Sequence, residues 1–213
     1  MKYVIMCAGR GDPHRFLSMI NGVPLIYRTV DMLRGLGIRY GDIYITLTPQ
    51  LEGLLAAYLG VPVDTLLNPR TPTGLWSDCF VFMNEPVCYL FGDVVYSDAA
   101  LKTIVNTDTD DIEFFASAPP FAPNYSKEWA EPFAFKVKNN AHLRSAITVV
   151  EQFYEENKFK RKPIAWEVWQ VIKNTPLNKI NYHNYTAIND YTCDVDELDD
   201  ILKFEGGTKW PIT

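Results

Sequence analysis

Three short stretches carry side chains whose type and spacing could do chemistry. The first is Ala8-Gly9-Arg10-Gly11, with Arg15 shortly after it. Glycines directly after a strand let backbone N–H groups turn into one concavity and let phosphate oxygens approach closely. Arg10 and Arg15 would neutralise the charge of such a phosphate. No Gly-Lys-Ser/Thr follows, so this is not a P-loop, and His14 stands where a dinucleotide fingerprint needs its third glycine. Taken alone, a Gly-x-Gly fits a plain strand-to-helix turn equally well. The second stretch is Gly92-Asp93, at the end of the apolar run Val87–Phe91. Ligands of open parallel sheets bind beyond the carboxyl ends of strands, and a carboxylate there suits magnesium, which takes one or two carboxylates plus substrate phosphates. The third is the acidic group Asp190, Asp194, Asp196, Asp199 and Asp200. By itself it reads as solvated charge at a helix N-terminus, where the macrodipole favours carboxylates.

The elements around these stretches alternate. Lys2–Ala8 is a continuous apolar run, as in a strand buried on both faces. Leu25, Ile26, Val30 and Leu33 recur at helical spacing, so a helix is expected from about Pro24 to Leu36, stopped by Gly35 and Gly37. Strands follow at 42–47, 63–67 and 86–92, with helices at 50–59, 75–83 and 97–105, the last opened by the Ser97-Asp98 cap. This alternation implies right-handed crossovers, a mostly parallel sheet and helices on both faces, hence an α/β fold. Further on, strands are expected at 112–118, 133–137 and 179–188, helices at 141–157 and 165–173, and a last acidic helix from about Asp196. No internal repeat or long linker divides the chain. One domain is expected over 1–213, with a regular half at 1–110 and a less regular half at 111–213.

Composition narrows the class. The 213 residues are 47% hydrophobic and 22% charged, which suits a packed core rather than disorder. Lys and Arg number 20 against 26 Asp and Glu, a net charge of −6. That balance argues against a general nucleic-acid binder, which needs clustered cations. No apolar run approaches the roughly 20 residues that span a bilayer, and the N-terminus lacks the form of a signal peptide. Cys7, Cys79, Cys88 and Cys193 are scattered, in neither a disulfide-scaffold nor a zinc pattern. The expectation is a cytoplasmic protein with reduced thiols, bound to neither membrane nor nucleic acid. Nothing in the sequence decides against a homo-oligomer.

In order, the three stretches resemble the nucleotidyltransferases of the GT-A-like fold, a three-layer Rossmann-like architecture. Val4-Ile-Met-Cys-Ala-Gly-Arg-Gly11 is similar to that family's strand followed by Ala-Ala-Gly-x-Gly. The segment His14–Ile26, with Asn21-Gly-Val-Pro-Leu-Ile26, resembles its Pro-Lys stretch leading into Asn-Gly-Lys-Pro-Leu-Ile. Leu90-Phe-Gly-Asp93 resembles its metal-holding Gly-Asp, and Asp194–Ile201 its acidic segment near the C-terminus. The likeness runs from residue 4 to about 204, and it implies a nucleotide-binding half at 1–110 and an acceptor-binding half at 111–213. Two departures stand out: the glycine loop is short and lacks its Thr/Ser-Arg, and Arg15 occupies the place of the signature lysine.

The resemblance implies attack by an acceptor phosphate oxygen on the α-phosphorus of a nucleoside triphosphate, with release of pyrophosphate. It implies Mg2+ on Asp93 and Asp196, with Asp194 as the alternative and Asp190 close by. Ala8, Gly9, Arg10 and Gly11, with Arg15, would hold the β- and γ-phosphates, and Asn68, Gly74 and Ser77 would line the base pocket. Lys127 and Glu131 would meet a phosphorylated small-molecule acceptor, a sugar 1-phosphate or a phosphoalcohol; Lys127 reads equally as a surface residue. Trp166 and Trp169 read as a core-facing stripe. His14, His142 and His183 form no pair at ligand spacing. Two other readings share the scaffold: a non-catalytic nucleotide-binding module, and a glycosyltransferase using a nucleotide sugar, which would usually carry an Asp-x-Asp where this chain has Asp93 alone. No Gly-x-Ser-x-Gly supports a serine hydrolase.

Overall fold

The computed structural model describes residues 1–7, 13–48, 51, 64–67, 75–118 and 130–195. Strand β1 (Lys2–Met6) starts the chain, followed by a hairpin of β2 (Met19–Ile20) and β3 (Val23–Pro24) and by helix α1 (Leu25–Gly35). Next come β4 (Ile43–Leu47), β5 (Asp64–Leu67), β6 (Val87–Phe91), the short β7 (Val94–Val95) and α2 (Asp98–Asn106). Strands β8 (Ile112–Ala116) and β9 (Pro132–Val137), helices α3 (Asn140–Glu155) and α4 (Ala165–Ile172), and the short β10 (Thr186–Ala187) and β11 (Cys193–Asp194) complete the described elements.

Among the described residues, seven strands form one sheet in the order β10-β8-β9-β6-β1-β4-β5. Only β9 runs against its neighbours; the β1–β4, β1–β6, β4–β5 and β8–β10 pairings are parallel. The fold is therefore the expected α/β fold with a mostly parallel sheet. The chain moves from β1 outward to β4 and β5, then returns to lay β6 on β1's other side. Such a reversal opens a crevice at the carboxyl ends of the two central strands. All five residues of β6 are buried, as the unbroken apolar run requires for a strand covered on both faces.

Local chemistry explains most elements. In α1, Leu25, Ile26, Thr29, Val30 and Leu33 form the buried stripe. Gly37, at φ 85°, accommodates the left-handed turn after the helix. Ser97 caps α2, accepting from the Ala100 N–H. Trp166 and Trp169 of α4 are each 1% exposed and pack their rings on Phe114 of β8. Lys136 on β9 is buried because its ammonium donates to the carbonyls of Ile104, Val105 and Thr107, closing the C-terminus of α2. Burial holds its pKa below the usual lysine range. No helix among the described residues is long and apolar enough to cross a membrane.

Some expectations change. Residues 75–83 form a single 3-10 turn, Trp76–Cys79, instead of a helix. Phe80 then leaves the turn to stack edge-on against Tyr89, whose hydroxyl takes the Val81 carbonyl that a helix would need. The strand expected at 179–188 shrinks to Thr186–Ala187. Its first residues are drawn off by the Gln170 amide, which donates to the Pro176 and Lys179 carbonyls, and by Tyr182 and Tyr185 packing on Trp166. The helices expected at 50–59 and from Asp196 lie outside the described residues, apart from Leu51. The β2–β3 hairpin turns on Asn21 and Gly22, both at positive φ, an Asn-Gly turn signal legible in the sequence.

Gly92 fixes the centre of this arrangement. Its N–H donates to the Met6 carbonyl at 3.0 Å, and a Cβ there would lie 2.4 Å from Cys7 Sγ and 2.7 Å from the Met6 carbonyl oxygen. Gly92→Ala is expected to destabilise the protein by about 3 kcal/mol, because the backbone of β1 must shift. Adding Cys7→Ala should recover little, since the Met6 carbonyl remains in the way. Thermal denaturation of the single and double variants checks this, and an unchanged Tm for Gly92→Ala would contradict it.

Candidate active site at the carboxyl ends of β1 and β6

Asp93 follows Gly92 in the turn between β6 and β7, so its position is set by the pairing of β6 with β1. Arg15 comes from the opposite direction, on the 3-10 turn Pro13–Leu17. That turn is anchored by Phe16, which is 2% exposed, and the Arg15 guanidinium lies over the Phe16 ring with its Cζ 4.9 Å from the centroid. From there Arg15 Nη2 reaches Asp93 Oδ2 at 3.0 Å, with both side chains about a fifth exposed. A partly buried, charge-assisted contact of this kind is stronger than a surface ion pair. Beside it, burial pushes the Cys7 thiol well up, and the Asp93 carboxylate adds to the effect.

The ion pair lies in a cleft of about 160 Å3. Met6 and Phe91, the last residues of β1 and β6, line it together with Cys79. Trp76 comes from the 3-10 turn before β6, and Pro163 and Ile164 from the start of α4. The Trp76 ring is held edge-on against Phe80 and Phe91. None of Phe16, Trp76, Pro163 and Ile164 was singled out for the site by sequence, because apolar residues carry no motif until the fold brings them to a charged pair.

The acidic segment reaches the same place. Strand β11 pairs antiparallel with β7, setting Asp194 opposite Val94, and the Val195 N–H donates to the Asp93 carbonyl at 2.7 Å. Asp190 has a different employment. Its carboxylate accepts from Ser97 Oγ at 2.5 Å and from the Thr192 N–H at 2.8 Å, tying the segment to the cap of α2. Among the described residues no group of three or more His, Cys, Asp and Glu side chains comes together.

Glu131 is buried just before β9. Because β9 runs against its neighbours, this is the same end of the sheet as Asp93. Its backbone is pinned by the Ser117 N–H and by Ser117 Oγ, while Trp166 Nε1 donates to Ala130. Ser77 is buried, its hydroxyl donating to Glu151 Oε1 at 2.6 Å. His142 pairs with Asp111 ahead of β8, at the far end of the sheet. Ala8, Gly9, Arg10, Gly11, Asn68, Gly74, Lys127 and Asp196, and the His14 side chain, lie outside the described residues. The structure thus brings Asp93, Arg15 and the backbone of 194–195 together, and sets Glu131 at the same sheet end.

Neither a protein-family model nor a curated protein matches the sequence. Solved structures do match in fold. The 4-diphosphocytidyl-2C-methyl-D-erythritol synthase of Anaerococcus prevotii superposes with a TM-score of 0.57 at 12% identity, over 96% of both chains. The inositol-1-phosphate CTP transferase of T. maritima gives 0.54 at 13% identity, over 97% of this chain and 96% of that one. Rv0371c of Mycobacterium tuberculosis, solved as a manganese complex, gives 0.52 at 16% identity, over 97% and 98%. From end to end, the chain has the fold of sugar-phosphate and phosphoalcohol nucleotidyltransferases.

Proposed function

We propose that the protein is a nucleotidyltransferase, moving a nucleoside monophosphate from a nucleoside triphosphate to a phosphorylated small-molecule acceptor and releasing pyrophosphate. The observation that carries this reading is the Arg15–Asp93 pair in a cleft at the strand ends where the sheet reverses. The shared fold supports the same reaction class. An acceptor phosphate oxygen forms a bond to the α-phosphorus as the bond to the pyrophosphate oxygen breaks, and the electron pair leaves with pyrophosphate. Such transfer depends on positioning and charge neutralisation more than on covalent help from the protein.

The residues divide that work. Arg15, at the cleft and already oriented by Phe16, is placed to exchange its contact with Asp93 for triphosphate oxygens. Ala8, Gly9, Arg10 and Gly11 follow β1 and would supply backbone N–H groups to the β- and γ-phosphates. Asn68, Gly74 and Ser77 are assigned to the nucleoside, and Lys127 and Glu131 to the acceptor. Asp93 with Asp194 or Asp196 fits a divalent cation, since one or two carboxylates beside substrate phosphates are the donor set that magnesium prefers. When bound, such an ion neutralises charge on the transferring phosphate. The manganese complex of Rv0371c supports a divalent metal in this fold. The same ion pair also motivates the non-catalytic reading, because a guanidinium on Asp93 can stand where a cation would.

Three variants test these assignments. Asp93→Asn should reduce magnesium-dependent pyrophosphate release by about 100-fold or more, with only a small fall in Tm, since the weakened contact with Arg15 is partly solvated and lies at a strand end outside the core. Wild-type turnover in that variant, measured by a coupled pyrophosphate assay, would sink the assignment. Arg15→Ala should raise the KM for triphosphate by about tenfold while Arg15→Lys keeps most of the activity, as expected if Arg15 fills the signature-lysine position. An equal loss in both means that the fork-shaped guanidinium makes a contact an ammonium cannot.

A further inference from the structure

One side of the cleft, Pro163 and Ile164, comes from the 111–213 half of the chain, and the Arg161–Glu167 ion pair contacts both flanks of it. Glu167 Oε2 accepts from the Ile164 N–H at 3.0 Å, and Glu167 Oε1 accepts from Arg161 Nη2 at 2.7 Å. The other arm of the same guanidinium, Nη1, donates to the Lys162 carbonyl at 2.8 Å. Pro163, between those anchors, has no N–H to donate and takes its place from its neighbours. Ile164 is the N-cap of α4 and cannot cap the helix with its own side chain, so Glu167 supplies that contact from one turn ahead. Glu167 is 5% exposed, and a carboxylate buried so deeply depends on the charge of Arg161.

The body of α4 has separate anchors. Trp166 Nε1 donates to the Ala130 carbonyl and Trp169 Nε1 to the His183 carbonyl, and both rings are buried on the sheet. Loss of the ion pair therefore loosens residues 161–164 while the helix stays docked. We propose that Arg161 and Glu167 are positioning residues: as a pair they hold Pro163–Ile164 against the cleft and so set what it admits opposite Asp93. The link to an acceptor rests on the transferase reading; the link to the cleft wall does not.

The test is Glu167→Gln in the full chain, which keeps the volume and an acceptor for the Ile164 N–H but removes the charge that holds Arg161. Cys79 lines the same cleft and is 2% exposed, whereas Cys88 sits inside β6. Labelling with N-ethylmaleimide, resolved by residue with mass spectrometry, should be about tenfold faster at Cys79 and unchanged at Cys88. In pyrophosphate release the KM for the acceptor should rise about tenfold while the KM for triphosphate holds, with Arg161→Lys intermediate because it keeps only one of the two contacts. Unchanged Cys79 labelling, or equal rises in both KM values, would overturn the proposal. If the wild type releases no pyrophosphate with any triphosphate, the transferase reading falls, and the labelling result alone decides the wall.

Discussion

The absence of a side chain at residue 92 lets the exits of β1 and β6 lie against each other, and the site depends on that contact. A Cβ at this position would run into both the Cys7 sulfur and the Met6 carbonyl. With hydrogen alone there, the Gly92 N–H reaches Met6, β6 keeps its register on β1, and the next residue is Asp93. The glycine-rich stretch that follows β1 starts within two residues of the same point. The crevice of an open α/β sheet is set by strand order, and the close approach that places Asp93 beside the end of β1 leaves no room for a Cβ at residue 92.

Three cations of the fold are held by identifiable acceptors. Arg15 compensates Asp93 in the cleft, Arg161 compensates Glu167 behind the cleft wall, and Lys136 satisfies the carbonyl end of α2. The three pairs differ in accessibility. Lys136 is locked within the sheet and its role ends with stability. The Arg15–Asp93 pair is about a fifth exposed on each side, so solvent and ions reach it, as the proposed phosphate binding at this place requires. The Arg161–Glu167 pair lies between these limits, with the Arg161 side chain half exposed and the Glu167 carboxylate buried.

Much of this was legible in the residues. The continuous apolar runs at 2–8 and 86–92 announced central strands, the Ser97 cap announced α2, and Asp93 stood out as a carboxylate directly after a buried strand. The antiparallel course of β9 was not legible, since Pro132–Val137 reads the same in either direction. Nor was the apolar lining of the cleft: Trp76 and Ile164 are far apart in the chain and meet only through packing. Residues 75–83 carried a helical spacing that the stacking of Phe80 and the Tyr89 hydroxyl bond overrode, a case of tertiary contact prevailing over local preference. Asp190 and Asp194 looked alike in sequence; hydrogen bonding to Ser97 and Thr192 sets the first apart as a tie to α2.

On the proposed reading, the ends of β1 and β6 bind a triphosphate whose charge is shared between Arg15 and a divalent cation at Asp93. A thermal-shift panel of the four nucleoside triphosphates, each with and without magnesium, is the first test of that binding. One triphosphate is expected to raise Tm only when magnesium is present. No shift with any triphosphate, with or without magnesium, would contradict it.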